Sequence, residues 1–418
     1  MMPKIPTLSN EKMKIERRLD DLVSVTGALI PVGLVVGNIG FETLIAASGL
    51  FWIGRCYVAK KNPLPDLIRH PLMLPWMIWF GCIVLSLILN GQGSKGWAHD
   101  VSFVRYPLFA LAMIDTSRRR PVVRYCLFGL AAGVVLAAVN TLLAYVIGFD
   151  LLGKSLVRYT TKIGEAGRIT TLSSYAAPFC LAWALMDTRL NPRAKWIITV
   201  IGLIAVAVTF KFRIRTAIIA MLAGIFPVLL YSVKKRFSSL STMGIVVFLI
   251  ACTVIIFYFQ KIGNLNSLYH RFYIWKVSLA VWGDHPWVGV GVSSFKDAFT
   301  ATSTPGSIAY LAPNGKLFDG SWAYNAYHAH NIFLMLMATT GILGLTVFGW
   351  LFANAVRMTF TNLDGWRWGL ITWPIILFVF GLAGFNIYHS GYLSLVAYFL
   401  VLIGIRAHPD ELSKFYST

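Results

Sequence analysis

Charged residues are scarce in this sequence, and acidic residues are the scarcest. Only 13% of the 418 residues are charged and 57% are hydrophobic, whereas a soluble globular protein has roughly 25% charged residues. The apolar residues form long uninterrupted runs, among them 196–210, 216–233, 243–260 and 331–354. Each run approaches the roughly 17–25 residues that a bilayer-spanning helix needs with its flanks. Because backbone groups in hydrocarbon need internal partners, these runs predict membrane-spanning helices and exclude a soluble fold.

Acidic residues number only 17 against 37 Lys and Arg, which gives the chain a net charge of +20. In a soluble protein such an excess would suggest nucleic acid as a partner. Here the cations lie in short loops between the apolar runs, so they indicate orientation in the membrane, with anionic lipid headgroups as the general partner. No nucleic acid is expected.

Cysteine is also scarce, and its pattern indicates no cross-link. The five cysteines lie in or beside apolar segments without CxxC spacing: Cys56, Cys82, Cys126, Cys180 and Cys252. They are interpreted as small buried hydrophobic residues, so neither a disulfide nor a metal site is expected. No small-residue cleavage site follows the first apolar run, which predicts a retained helix and not a cleaved signal.

The apolar runs predict an all-α integral membrane protein with about twelve transmembrane helices. Residues 1–260 hold spans one to nine, 261–330 form one long loop with interfacial helices, and 331–418 hold spans ten to twelve. The predicted spans are 22–39, 41–59, 72–90, 97–116, 122–147, 169–187, 196–211, 216–233, 243–260, 331–354, 368–386 and 389–405. Most Lys and Arg fall in short cytoplasmic loops or tails if the N-terminus is cytoplasmic, so this orientation is preferred. The even count returns the C-terminus to the cytoplasm and turns the long loop to the periplasm.

One short outward turn opposes this distribution of cations. Lys211, Arg213 and Arg215 lie within five residues between two strongly apolar helices. A miscounted span would explain the exception. The alternative is an anion site at the outer membrane face, because helix ends and arginines hold phosphate well.

The loop 261–330 is too long for a passive connection, and loops of this length are usually functional. Its segment 271–282 predicts an amphipathic helix that lies in the interface, with Trp275 and Trp282 at headgroup level. The loop ends on Tyr-His-Ala-His-Asn at 327–331, directly before the tenth predicted span.

A histidine and two glycines follow a fixed spacing at the start of that span. After His330 and Asn331 come nine residues and then Gly341 and Gly344. Glycines one turn apart allow close helix approach, which is expected to hold the tenth helix against a neighbouring helix. The position of His330 above that helix would then be fixed as well. The glycines at 289 and 291 are interpreted as a loop turn and not as a phosphate cradle.

These features together resemble the O-antigen ligase/polymerase family of bacterial envelope glycosyltransferases. The resemblance covers about residues 165–350. It includes an outward Arg-Thr-Ala turn at Arg215, an arginine before a tryptophan-bearing stretch at Arg271, the stretch His-Pro-Trp-Val-Gly-Val-Gly at 285–291, and the closing His330–Asn331.

Two positions depart from the family pattern. Ligases often have Ser or Thr directly before the turn arginine, where this chain has Ile214. Some members have an acidic residue after His-Asn, where this chain has Ile332. The second departure argues against a mechanism that uses a carboxylate base at that point.

Within the family the chain looks most like the ligases. The resemblance implies a GT-C-type membrane fold and the transfer of finished O-antigen from undecaprenyl diphosphate to lipid A-core. It also implies a bacterial inner-membrane protein whose active site faces the periplasm. By the same resemblance the reaction is direct, inverting and independent of ATP, and neither a metal nor a cofactor is expected.

The chemistry of that reaction assigns roles to three residues. Arginine forks suit the charge that builds on a departing diphosphate, so Arg215 and Arg271 are predicted to bind it. His330 is predicted to be the general base for the acceptor hydroxyl, because an ordinary histidine pKa is about 6.5. The alternatives are arginines that only reach lipid headgroups and a histidine that only caps its helix.

Six further residues are supporting candidates: Lys211, Arg213, His328, Asn331, Arg168 and Arg105. His328 and Asn331 are expected to orient the site and not to react.

Arg168 ends an outward loop with Lys154, Arg158 and Lys162. This group would meet acidic core sugars or lipid A phosphates, or it forms a solvated basic face. Arg105 lies within the fourth predicted span, where an ionisable residue is functional by default, although an ion pair with Asp100 would also account for it.

Other functions stay open at this point. An O-antigen polymerase shares the donor, and a protein O-oligosaccharyltransferase belongs to the same family. A flippase or transporter is the alternative from a different class. Transport sites usually need charged or broken helices near the bilayer midplane, and the deep parts of the last seven spans are almost free of ionisable residues. This distribution disfavours transport.

Overall fold

The computed structural model describes residues 8–91, 93–153, 163–236, 266–303, 326–361, 363, 365–384 and 387–405. Within these ranges the fold is all-α and contains no β-strand, which confirms the predicted class for the described part. Large apolar side chains stay exposed on the helices, for example Leu142 and Trp196. An outer surface of this kind suits contact with lipid.

The first eight helices are α1 Leu8–Ala28, α2 Ile30–Val36, α3 Asn38–Ala59, α4 Leu64–Ile68, α5 Met73–Leu89, α6 Ser94–Val101, α7 Arg105–Thr116 and α8 Val122–Val146. The next eight are α9 Ile163–Met186, α10 Pro192–Lys211, α11 Arg215–Arg236, α12 Asn266–Asp284, α13 Phe295–Thr302, α14 Ile332–Thr361, α15 Thr372–Ala383 and α16 Ser390–Gly404. Two 3₁₀ turns, Ser102–Val104 and Gly365–Ile371, precede α7 and α15.

Five described helices are long and apolar enough to cross a bilayer, and a bent pair makes a sixth. They lie at Val122–Val146, Ala166–Met186, Pro192–Lys211, Ile332–Thr361 and Gly365–Leu382, and the pair is Asn10–Ala28 with Ile30–Val36. Shorter apolar helices lie at Met73–Leu89, Arg215–Tyr231 and Ser390–Gly404. Helices therefore occur at eleven of the predicted spans, while span 243–260 lies outside the described residues. The count of twelve stays a prediction.

Two predicted spans are not single straight helices. The first bends by 49° after Ala28, where Pro31 starts a new helix in a position that needs no backbone N–H. The fourth, 97–116, is divided into α6, a 3₁₀ turn and α7. Pro107 stands in the first turn of α7 and cannot donate to the preceding turn.

Helix α16 lies in the centre of the structure, and nearly all its side chains are buried. It packs against α2, α3, α7, α9 and α14. Its 15 residues make a helix about 22 Å long, which is shorter than a hydrocarbon core of about 30 Å. The turn before α16 is accordingly recessed, since the ring of Tyr388 stacks on Trp79 in the middle of α5 with centroids 6.0 Å apart.

Helix α14 is broken at Gly341, whose backbone (φ 65°, ψ −167°) is not helical. The segment 286–291 fills the break. The Ile342 N–H donates to Pro286 O, the Val290 N–H to Ala338 O and the Gly291 N–H to Thr339 O, each at 2.9 Å. These bonds replace helical ones that the break removes, so the backbone groups of α14 keep partners.

The glycine pair of α14 therefore has a different use from the predicted one. A side chain on Gly341 would overlap the backbone of Trp287, and a side chain on Gly289 would overlap the backbone of Thr339. The close neighbour at Gly341 is a loop and not a helix, which corrects the expectation from spacing. The motif at 285–291 thus joins the long loop directly to the helix that starts after His330.

The predicted loop helix exists as α12, which is longer than the expected 271–282. It buries Tyr273, Ile274, Val277 and Val281 and packs against α14. Trp282 donates to Pro286 O at 3.1 Å, so this indole is tied to the loop. The placement of Trp275 and Trp282 at headgroup level stays a prediction.

Candidate active site

The turn 211–215 joins α10 to α11. Helix α10 ends at Lys211, Arg213 has a left-handed backbone (φ 54°), and Arg215 opens α11. All three cationic side chains are exposed. The Lys211 ammonium lies 3.9 Å from the centre of the Tyr145 ring, and a pocket of about 760 Å³ borders Lys211 and Arg213.

Arg271 lies in α12 beside Arg215. Burial and the neighbouring charge of Arg215 both lower the pKa of Arg271. A guanidinium nonetheless stays charged at any physiological pH, so the two side chains repel each other. An anion bound between them would relieve this repulsion.

The two histidines of the loop end lie together. The ring centroids of His328 and His330 are 4.0 Å apart. His330 has a left-handed backbone (φ 50°), which is uncommon outside glycine and often occurs at functional sites. The peptide thus turns sharply at this residue, directly before α14.

Both histidines are neutral at pH 7. Burial, His328 and Arg271 lower the pKa of His330 to about 3. Burial, His389 and Arg271 lower the pKa of His328 to about 4. A neutral imidazole accepts a proton, so either ring is in the form that a general base requires.

Asn331 caps α14 with its side chain. Its amide oxygen accepts from the N–H groups of Phe333 at 2.9 Å and Leu334 at 3.1 Å, and its amide nitrogen donates to Leu382 O at 3.1 Å. The residue therefore joins the histidine turn to the start of α14 and the end of α15. This geometry gives Asn331 an orienting position.

Arg168 is not at the end of an exposed loop. It lies inside α9 with 7% of its surface exposed, because it donates to Asn38 Oδ1 at 2.6 Å and to Leu34 O at 3.3 Å. The expectation of a solvated basic face is wrong for this residue. Lys154, Arg158 and Lys162 lie outside the described residues.

His389, which the sequence interpretation missed, lies between His328 and Arg168. Burial and Arg168 lower its pKa, while Glu42 acts in the opposite direction. Its Nδ1 atom is buried without a hydrogen-bond partner in the described structure. The available signal was topological, since the short turn between predicted spans eleven and twelve faces the same side as His330.

Arg105 points to a different partner from the expected one. Its closest carboxylate is Glu42 at 4.0 Å, and it donates to Ser102 O at 3.1 Å and to the Tyr106 hydroxyl at 3.2 Å. Asp100 instead pairs with His99 at 2.7 Å. The alternative of an Arg105–Asp100 pair is therefore wrong.

Five of the predicted site residues and His389 form one continuous group, here called the arginine–histidine cluster: Arg215, Arg271, His330, His328, His389 and Arg168. Asn331 adjoins it, whereas Lys211, Arg213 and Arg105 face other partners. Its members come from α9, α11, α12 and the turns before α14 and α16. Among the described residues, no three His, Cys, Asp or Glu side chains are grouped closely enough to hold a metal ion.

Part of the chain that contains this site is similar to a known protein family. A family model described as O-antigen ligase matches residues 191–349. The match contains Arg215, Arg271, His328, His330 and the loop that enters the break in α14. Comparison with the curated proteins gives no match.

Proposed function

From the match of residues 191–349 to the O-antigen ligase family model, we propose that this chain transfers O-antigen polysaccharide from undecaprenyl diphosphate to a sugar hydroxyl of lipid A-core. Members of this family are membrane glycosyltransferase-like enzymes. The proposed setting is the bacterial inner membrane, with the reaction at its periplasmic face.

The observation that carries the proposal is the adjacency of two arginines and two neutral histidines. Arg215 and Arg271 would hold the diphosphate, because guanidinium forks match phosphate oxygens and remain charged at any physiological pH. Their mutual repulsion favours an anion between them. Charge that builds on the leaving group would meet donors already in place.

His330 would act as the general base. The acceptor hydroxyl oxygen attacks the anomeric carbon of the donor sugar, the bond from that carbon to the diphosphate oxygen breaks, and the hydroxyl proton moves to His330. Undecaprenyl diphosphate leaves with the bonding electrons. A direct displacement of this kind inverts the anomeric centre.

Donor binding would also strengthen the base. Arg271 is one cause of the low pKa of His330, and a bound diphosphate compensates that positive charge. The pKa would rise by the part that Arg271 causes, while the larger effect of burial would remain. His330 would therefore be a stronger base with the donor bound than without it.

The test is a reconstituted reaction with purified protein, undecaprenyl-diphosphate glycan and lipid A-core, without ATP and with chelator present. His330→Ala, Arg215→Ala and Arg271→Ala should each lower conjugate formation by roughly 10²–10³-fold. Lys276→Ala is the matched control, since it removes an exposed positive charge from α12, the helix of Arg271, outside the arginine–histidine cluster. Normal rates from all three variants would contradict the site.

The same assay separates the competing functions. A product lengthened only on the lipid carrier would make the protein a polymerase. The flippase alternative is disfavoured by the break in α14, because transport sites in broken helices leave free backbone groups for the substrate. Here segment 286–291 occupies those groups at Ala338, Thr339 and Ile342.

A further inference from the structure

A polar groove opens beside the histidine end of the arginine–histidine cluster. It has a volume of about 800 Å³ and lies between the start of α6 and the segment 293–297. Tyr388 is buried at its base, while Tyr327 is 68% exposed at its edge. Because these tyrosines directly precede His328 and His389 in the chain, the groove lies next to the two turns that hold these histidines.

Hydrogen bonds between distant segments hold the walls of the groove. Buried Asp100 in α6 pairs with His99 at 2.7 Å and accepts from the Ser293 hydroxyl at 3.3 Å. Asn90, directly after α5, donates to Gly289 O at 3.0 Å. These bonds join α5 and α6 to the loop that enters α14, so the groove keeps its shape without a ligand.

The side chains that line the groove suit an anionic sugar. Lys95 and Lys296 carry positive charge, and Asp297 is the acidic residue beside them. The Lys296 ammonium lies 4.3 Å from the centre of the Tyr327 ring and donates to its hydroxyl at 3.2 Å. An aromatic face beside a fixed cation matches a sugar ring that bears phosphate or carboxylate.

The pocket of about 760 Å³ beside the turn 211–215 is lined by a different part of the chain. It is lined by residues of α8, α9 and α10 and of the turn that follows α10, and it shares no lining residue with the groove. It includes Arg213 and Ile214, next to Arg215, which the proposed function gives to the leaving diphosphate. The groove and this pocket therefore adjoin the cluster through different residues, and a direct displacement needs separate places for the nucleophile and the leaving group.

We propose that the groove is the acceptor subsite and binds an anionic oligosaccharide. Lys95 and Lys296 hold its phosphate or carboxylate groups, Tyr327 supports a sugar ring, and one hydroxyl reaches His330. This inference rests on the proposed function, because it gives a place to the second substrate of that reaction.

The test compares Lys95→Gln and Lys296→Gln with Lys276→Gln, an exposed lysine of α12 that does not line the groove. Initial rates are measured against native or dephosphorylated lipid A-core at saturating donor. Each groove variant should raise the KM for the native acceptor about tenfold, with kcat and the donor KM changed less than about twofold. The KM for the dephosphorylated acceptor should change little.

Two results would contradict the acceptor subsite without contradicting the proposed function. In the first, both groove variants have the same acceptor KM as Lys276→Gln. In the second, only the donor KM increases. If wild-type protein forms no conjugate, the proposed function fails. In that case, thermophoresis measures the affinity of the three variants for lipid A-core. Lys95→Gln and Lys296→Gln should bind it more weakly than Lys276→Gln does.

Discussion

Two groups of charged residues in this molecule differ in how their charges are balanced. In the carboxylate–arginine network, Arg119 donates to both oxygens of Asp20 and of Asp115 at 2.9–3.0 Å. Arg55 lies 3.7 Å from Asp20 and 3.8 Å from Asp115. In the arginine–histidine cluster, by contrast, burial and then neighbouring basic groups lower the pKa values of Arg271, His328 and His330.

The difference separates a structural group from a binding group. In the carboxylate–arginine network each carboxylate has arginine partners, so the loss of one partner would leave an uncompensated buried charge among α1, α3 and α7. Arginines that repel each other beside neutral histidines, as Arg215 and Arg271 do, favour an external anion. The network lies on the predicted cytoplasmic side and the cluster on the predicted outer side.

The largest effect is expected in the network. Asp115→Ala leaves Arg55 and Arg119 with one carboxylate fewer, and the loss of one partner of a buried pair costs roughly 3–5 kcal/mol of unfolding free energy. Thermal unfolding in detergent measures this change. Asp21→Ala is the control, since Asp21 makes an exposed pair with Arg120 at 3.1 Å and should cost less than about 1 kcal/mol. Equal shifts in the two variants would contradict the distinction.

Arg271→Ala is expected to lower activity without lowering stability. Removing one of two repelling guanidinium groups is expected to leave the unfolding temperature unchanged or slightly higher, while turnover falls roughly 10²–10³-fold. Parallel unfolding and conjugation assays provide the two readouts. A loss of stability as large as that of Asp115→Ala would make Arg271 a structural residue.

The smallest effect is a dependence of stability on pH. Because the pKa values of His330 and His328 are lowered to about 3 and about 4, the unfolded chain binds protons that the folded chain refuses. Stability is therefore complete above about pH 6.5 and declines as the pH falls towards the folded pKa values. The decline should be less than about 1.4 kcal/mol per pH unit for each half-buried ring.

Unfolding temperatures at pH 7.5 and pH 5 measure this decline. A double variant, His328→Gln with His330→Gln, should lose less stability on acidification than the wild type does. An identical decline in both proteins would mean that these rings do not resist protonation.

The sequence predicts the helices well because apolar runs and the need for backbone partners act locally. It also predicts the outward side for Arg215, Arg271 and His330, since orientation follows from the distribution of cations. The approach of Arg271 to Arg215 is tertiary and needs the structure. The roles of these residues stay proposals.

Three features were beyond the reach of local patterns. Gly341 in an apolar run indicates close approach but does not say whether a helix or a loop approaches. Burial of Arg168 depends on Asn38, which lies 130 positions away. His389 belongs to no motif, and only the packing of α16 brings its turn to His328.

The coupling of the arginines to the base is tested most directly by the pKa of His330 with and without undecaprenyl diphosphate. NMR on histidine-labelled protein in nanodiscs measures this pKa. The pKa of His330 is expected to be near 3 in the free protein and clearly higher when the ligand is bound. In Arg271→Ala the pKa of the free protein should rise only in part, because burial, the largest cause of the low value, remains. An unchanged pKa on ligand binding, with binding itself confirmed, would contradict the coupling of the arginines to the base.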